Sequence, residues 1–522
     1  MDFRPTKLSV HHASSEMELE LWLLWLLLAV SLLYYYLNNN IPLSGTGRLP
    51  PGPEPLPVLG NLLDLQHGSL HHTLARLARV HGPVMRLKLG LTTAVVVSSR
   101  DAAREAFTRH DRRLAARAVP DTARALGLSD RSMIWLPSTD PTWKTLRGIV
   151  ATHLFSPRSL AATRGVRERK ARDLVRYLRG RAGQEVDVGQ AVYGGVINLV
   201  SSVLFSVDVV DVGAESAQGI REIVEELIEL VARPNISDIF PCLRPLDLQG
   251  LRRWTAKHFE KLFRLFDGII DRRLAEASSG DKHNDFLDAL LELMSTGKMD
   301  RDNVRTILAD MFAAGSDTTA ITVEWVMAEL LHHPGIMAKV RTEIEDTLGE
   351  RQTVGEADVA RLPYLQAVVK EAMRLHPVAP LMLPHQAVED GVEISGYTVP
   401  KGCAVIFNSW AIMRDPAVWE RPDEFMPERF LDRAAEVDFK GKEFEFIPFG
   451  AGRRQCPGLP MAERVVPLIL ASLLHAFEWR LPDGVTAEQL DVSEVYHRQR
   501  ARYPAEGRAT CLVYKESTSA TK

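Results

Sequence analysis

The segment Phe449-Gly450-Ala451-Gly452-Arg453-Arg454-Gln455-Cys456-Pro457-Gly458 leads directly into an apolar run of helical period, Leu459 to Leu474. Its glycines permit the backbone to approach a bulky neighbour closely. Pro457 suits the first turn of a helix, where no N–H is needed. Cys456 therefore stands just ahead of a helix N-terminus, whose N–H groups stabilise a thiolate and lower the thiol pKa. A cysteine before a helix is usually structural. Here the glycines, the proline and the flanking arginines together meet the demands of a metal-bound thiolate, with Phe449 to shield the sulfur and Arg454 to pair with an acidic group.

The chain has 522 residues, 46% hydrophobic and 25% charged, with a net charge of −4. This is ordinary globular composition, and nothing in it suggests a nucleic-acid binder. The four cysteines, Cys242, Cys403, Cys456 and Cys511, share no metal-finger spacing and are too few for a disulfide framework. A reducing compartment fits the folded part.

Residues 1–20 read as an N-terminal extension. Leu21 to Leu37 is apolar or aromatic except for Ser31. As a helix those residues span roughly 26 Å at about 1.5 Å each, close to a bilayer core. Trp22, Trp25 and Tyr34 to Tyr36 suit the two interfaces, and no small-residue cleavage site follows. Residues 21–37 are therefore expected to be a transmembrane anchor. Residues 38–60, with Pro50, Pro51, Pro53, Pro55 and Pro57, form a stiff hinge that is neither helix nor central strand. The remainder, 61–522, is read as one catalytic domain. Val84 to Gly90 and Thr92 to Val97 suggest two paired strands, and strand signals return at Gly391 to Ile406. Helical periodicity covers Arg167 to Arg181, Leu251 to Ala277 and Asp302 to His332. The expected fold class is mostly α with small β-sheets.

The cysteine segment fits F-x-x-G-x-R-x-C-x-G at every fixed position and resembles the haem-binding signature of cytochromes P-450. The resemblance implies the P-450 fold behind one N-terminal transmembrane helix, with haem b held by Cys456. It extends to Glu371-Ala372-Met373-Arg374, similar to the family's E-x-x-R motif. There Glu371 and Arg374 join a downstream arginine, here Arg429, in a structural role. Trp143-Lys144-Thr145-Leu146-Arg147 looks like the W-x-x-x-R helix, whose tryptophan and arginine reach a haem propionate. His385 stands where the family often carries another propionate ligand. Ala314-Gly315-Ser316-Asp317-Thr318-Thr319 resembles the oxygen-activation motif, in which Thr318 orients water and Asp317 relays protons.

The resemblance runs from the proline hinge to about Phe477 and is closest to plant A-type enzymes of the endoplasmic reticulum. Met133-Ile134-Trp135-Leu136-Pro137 and Pro384 to Asp390 look like the group of geraniol hydroxylases and cereal hydroxylases of labdane-related diterpenoids. That implies a single-pass endoplasmic-reticulum enzyme with a cytosolic domain, fed from NADPH through NADPH-cytochrome P-450 reductase and using O2 on a hydrophobic small molecule. The family's fold implies a pocket formed by the loop around Ala118 to Trp135, the helix face at Asp310, Ala313 and Ala314, and the segment from Val378 through Leu381 to Leu383, the last run apolar enough to take a hydrocarbon. Fatty acids, phenylpropanoids or xenobiotics are the alternative substrates, and a non-catalytic membrane haemoprotein is the alternative of another class. One departure stands out. Tyr496-His497-Arg498-Gln499-Arg500-Ala501-Arg502-Tyr503 is basic where relatives carry an apolar loop entering the pocket.

Overall fold

The computed structural model describes residues 18, 20–32, 47–66, 68–212, 215–277, 282–349, 351–432, 437–482, 486–487, 494–495, 498–501 and 510–514. The strands expected near the start form. Val84–Leu89 (β1) and Thr92–Val97 (β2) pair antiparallel, Val84 opposite Val97 and Leu89 opposite Thr92. Gly90 closes the turn at φ +56°, a conformation that favours glycine. Three later pieces extend this sheet: Ala116–Arg117 (β3), His385–Gln386 (β4) and Ala404–Phe407 (β5). The strand order is β1-β2-β5-β4-β3. Its far edge sets Arg117 directly opposite His385.

The proline segment does not hang free. The Arg86 N–H donates to the Pro51 carbonyl at 2.7 Å and the Asn61 amide donates to the Pro53 carbonyl at 3.2 Å, so the stretch lies along the open edge of β1. Prolines cap a strand edge without inviting further pairing. At the N-terminus, Glu20–Leu32 is an apolar helix with exposed side chains, Trp22 and Trp25 among them. Residues 33–37 of the expected anchor lie outside the described residues.

Helices make up most of the rest. Six matter for the site: Pro141–His153 (α1), Arg164–Arg179 (α2), Val188–Phe205 (α3), Arg301–His332 (α4), Pro363–Leu375 (α5) and Leu459–Ala476 (α6). The chain starts α4 where Asp300 accepts a hydrogen bond from the Asn303 N–H. Much of α4 is buried, so its apolar residues surround the axis instead of forming a stripe. It packs along α3, which is itself almost wholly buried. By length and composition α3 and α6 could each cross a membrane, but both are core helices of this domain.

Glu371 and Arg374, three apart on α5, share one face and are fully buried. Arg374 donates to the two Glu371 carboxylate oxygens at 2.8 and 2.9 Å. Its other guanidinium nitrogen reaches the carbonyls of Met413 and Pro422 at 3.0 and 2.7 Å. Glu371 also accepts from Arg429 at 3.0 Å and from the Met426 N–H at 2.9 Å. One carboxylate thus ties α5 to the irregular chain that precedes the cysteine loop. Replacing Glu371 with alanine would strand two buried guanidiniums, at a cost of about 3–5 kcal/mol. Breaking the exposed Arg176–Asp173 pair, with Arg176 74% exposed, should cost less than about 1 kcal/mol. We expect Glu371→Ala to lower the unfolding midpoint of the purified full chain sharply and Arg176→Ala to leave it almost unmoved, as followed by tryptophan fluorescence.

Candidate active site

Cys456 sits where the loop turns into α6. Gly450 and Gly452 take φ +69° and +68°, and Gly452–Arg454 winds one tight turn. A side chain at Gly452 would run into the Asp111 carboxylate, which accepts from the Arg453 N–H at 3.0 Å. The Cys456 N–H donates back to the Phe449 carbonyl at 3.0 Å, closing the loop. The sulfur has accessible surface, but that surface faces an internal cavity, not bulk water. Burial therefore pushes the thiol pKa up, while the Gly458 N–H, Arg147 and the Leu459 N–H pull the other way. Those last groups favour thiolate. A cation bonded to the sulfur would complete the shift.

Positive charge crowds one wall of the same cavity. Arg117, Arg147, Arg454 and His385 all line it, with the Trp143 ring among them. The Arg454 and Arg147 guanidiniums lie 4.8 and 5.8 Å from the centre of that ring. Arg454 donates to the Ala115 carbonyl at 2.7 Å and to those of Met133 and Leu136, and Arg117 donates to the Leu383 carbonyl at 2.6 Å. Carbonyls orient these groups without neutralising them. Among the described residues no carboxylate pairs with any of the three arginines. Burial, followed by Arg454, lowers the Arg117 pKa to about 9, and burial followed by Arg147 lowers that of Arg454 to about 10. Burial and then Arg117 drive His385 down to about 3, while its Nδ1 lies 2.8 Å from the Leu114 carbonyl. Trp143 Nε1 and Arg117 Nε are buried and have no partner among the described residues. A buried cluster of uncompensated cations with idle donors fits a bound group carrying carboxylates. Haem, with two propionates and an iron for the sulfur, matches this donor set.

Opposite Cys456 runs α4. Asp310, Ala314 and Thr318 follow at intervals of four along one face and line the cavity. Gly315 and Thr319 also reach it. The helix is unbroken here, and a side-chain carbon added at Gly315 would meet Val200 of α3 at ordinary contact distance. Thr318 Oγ1 donates to the Ala314 carbonyl at 2.7 Å, which leaves its lone pairs to the cavity. Asp317 is buried and lies off the cavity wall, about 100° around the helix from Thr318. Two adjoining cavities of about 310 and 130 Å³ share Met311, Ala314, Thr318 and Cys456 as lining.

Two expected pocket residues do not line the void. Ala313 falls on the same off-face side as Asp317 and packs into the main core. Leu381 packs against the Leu74–Met85–Val96 cluster because the chain reverses at Met382, φ +50°. Val378, Met382 and Leu383 supply that wall. Arg117 escaped the sequence reading, which held no motif around it. Of the basic C-terminal stretch, Arg498–Ala501 is a strand that lies against α4, and residues 496–497 and 502–503 are outside the described residues.

The cytochrome P450 family model matches residues 50–502. Three proteins of Oryza sativa subsp. japonica are similar over nearly the full length. Cytochrome P450 76M5 is 66% identical over 92% of this chain and 96% of its own. Oryzalexin D synthase and ent-cassadiene C11-alpha-hydroxylase 1 are each 61% identical over 91% of this chain and 96% of theirs. The sulfur, the cation wall and the oxygen-side helix are thus set in the framework of an oxidoreductase that inserts oxygen, and the chain belongs to the cytochrome P450 family of monooxygenases.

Proposed function

We propose that this monooxygenase hydroxylates a labdane-related diterpenoid, with a monoterpenoid such as geraniol the second choice. Its electrons come from NADPH through NADPH-cytochrome P-450 reductase. The reading rests on the likeness, at 61% identity, to a protein named for hydroxylating ent-cassadiene at C11. The wall at Val378, Ala379 and Leu383, apolar and facing Ala314, agrees with it. In this proposal Glu20–Leu32 begins a single-pass anchor that holds the domain on the cytosolic side of the endoplasmic reticulum.

Cys456 would bind the haem iron through its thiolate, helped by the N–H groups that open α6, with Phe449 keeping water from the sulfur. Trp143, Arg147, Arg454 and His385 would hold the propionates, joined by Arg117. Those carboxylates would return the His385 and Arg117 pKa values toward their ordinary ranges. Bound haem supplies oxygen activation and attack on an unactivated C–H bond. Thr318, its own hydrogen given to the Ala314 carbonyl, accepts a hydrogen bond from a water and so orients it to deliver a proton on the oxygen side. Asp317, buried beside the wall on α4, feeds that relay. Glu371, Arg374 and Arg429 hold the frame and touch no reactant.

The decisive experiment is product analysis of the full chain co-expressed with a plant reductase. Labdane-related diterpene hydrocarbons and geraniol would be supplied, with NADPH present or omitted. NADPH-dependent hydroxylated diterpene is expected; oxygenated geraniol alone would overturn the diterpenoid choice. Cys456→Ser should abolish the thiolate-type band of the reduced carbon-monoxide complex. Thr318→Ala and Asp317→Asn should keep that band yet lower product per NADPH consumed by roughly ten- to a hundredfold. Arg117→Leu should leave the fold intact and speed haem loss to apomyoglobin by about tenfold or more, as one charged contact is removed.

A further inference from the structure

Asp310 is an expensive residue in an apolar wall. It lies one turn before Ala314 and two before Thr318 on the cavity face of α4, only 8% exposed. Burial raises its carboxyl pKa to about 7, against the hydrogen bonds it accepts. Those bonds all come from one short piece of chain across the cavity. Ser132 Oγ lies 2.8 and 3.0 Å from its two oxygens, and the Met133 N–H donates at 2.9 Å. The Ile134 N–H donates in turn to Ser132 Oγ at 3.1 Å. Met133 and Ile134 are themselves cavity wall. On its other side the same piece is held by Arg454, which donates to the Met133 carbonyl at 3.2 Å.

We infer that Asp310 is a specificity-positioning residue: by fastening Ser132–Ile134 to α4 it sets where the Met133–Ile134 wall stands, and hence which carbon of the substrate is presented for oxidation. The residue needs no contact with substrate. Its carboxylate is already occupied by the loop, so its influence passes through the wall it holds. Cut at Asp310, the loop keeps its Arg454 anchor, and the wall loosens without the haem side being released. The inference rests on the monooxygenase assignment and on this cavity being the substrate space.

The test uses ferric holoenzyme and two probes that ligate iron through nitrogen, imidazole and the longer 4-phenylimidazole, titrated by the shift of the haem band. In Asp310→Ala the reduced carbon-monoxide band should persist and imidazole affinity should change less than about twofold. The 4-phenylimidazole affinity should move by roughly tenfold, about 1.4 kcal/mol. Ser132→Ala, which removes the same hydroxyl bond, should shift it the same way if the aspartate variant fails to fold. Asp310→Asn, which retains one acceptor oxygen, should recover part of the effect. On any substrate the enzyme accepts, Asp310→Ala should change the ratio of positional products. Equal shifts for both probes, or none for either, with an unchanged product ratio, would overturn the inference. Failure of wild-type enzyme to oxidise any diterpene would sink that substrate while the probe titration still decides Asp310.

Discussion

A single buried carboxylate, Glu371, holds the domain together around its site. Two guanidiniums and a backbone N–H converge on it, and Arg374 spends its remaining donors on carbonyls from the chain between α5 and the cysteine loop. An ionised group taken from water costs several kcal/mol unless it is paired and hydrogen-bonded, and here four hydrogen bonds, three of them from guanidinium nitrogens, meet it. The return on that cost is position. The stretch from Met413 to Arg429 has little regular structure of its own, yet it must deliver Phe449 to Gly458 to a fixed place below α4. Trp419, Phe430 and Phe446 pack a small separate core beside the network and finish the job that hydrogen bonds begin.

The cavity wall follows the opposite rule. Around Glu371 charge is balanced inside the protein. Around Trp143 it is left open, with burial first and neighbouring arginines second lowering the pKa values of Arg117, Arg454 and His385, and two buried N–H groups idle. Such an arrangement is destabilising for the protein alone and becomes favourable when carboxylates arrive. The two clusters show how one chain divides its charges, with the closed set fixing the frame and the open set reserved for a cofactor.

Much of this could be read from the chain. The strands at Val84 and Thr92 declare themselves through alternation and a glycine turn, and the Asp302 to His332 helix through its length and apolar density. The cysteine loop and the three supporting motifs carry fixed residues at fixed spacing. Arg117 was hidden because it reaches the cavity through β3, a strand of two residues paired with another of two, which leaves no period to detect. Its role comes from a partner 268 positions away, His385, set opposite it by the sheet register. Ala313 and Leu381 were misplaced for a related reason. Composition marks a run as apolar, but a 100° step around a helix or one reversed residue at Met382 decides which members face the void.

The face of α4 joins two requirements that differ in kind. On the proposed reading Thr318 serves oxygen chemistry common to any substrate, whereas Asp310, two turns earlier on the same stripe, holds the Ser132–Ile134 piece of the cavity wall. Because both stand on one rigid, buried helix packed along α3, their separation is fixed by helical geometry. A change in the Ser132–Ile134 loop can then alter what is presented to the reactive centre without disturbing the threonine that serves it. That division explains why a costly buried carboxylate stands where an apolar residue would pack more cheaply: a leucine at position 310 could fill the space, but it could not hold a loop by its N–H groups.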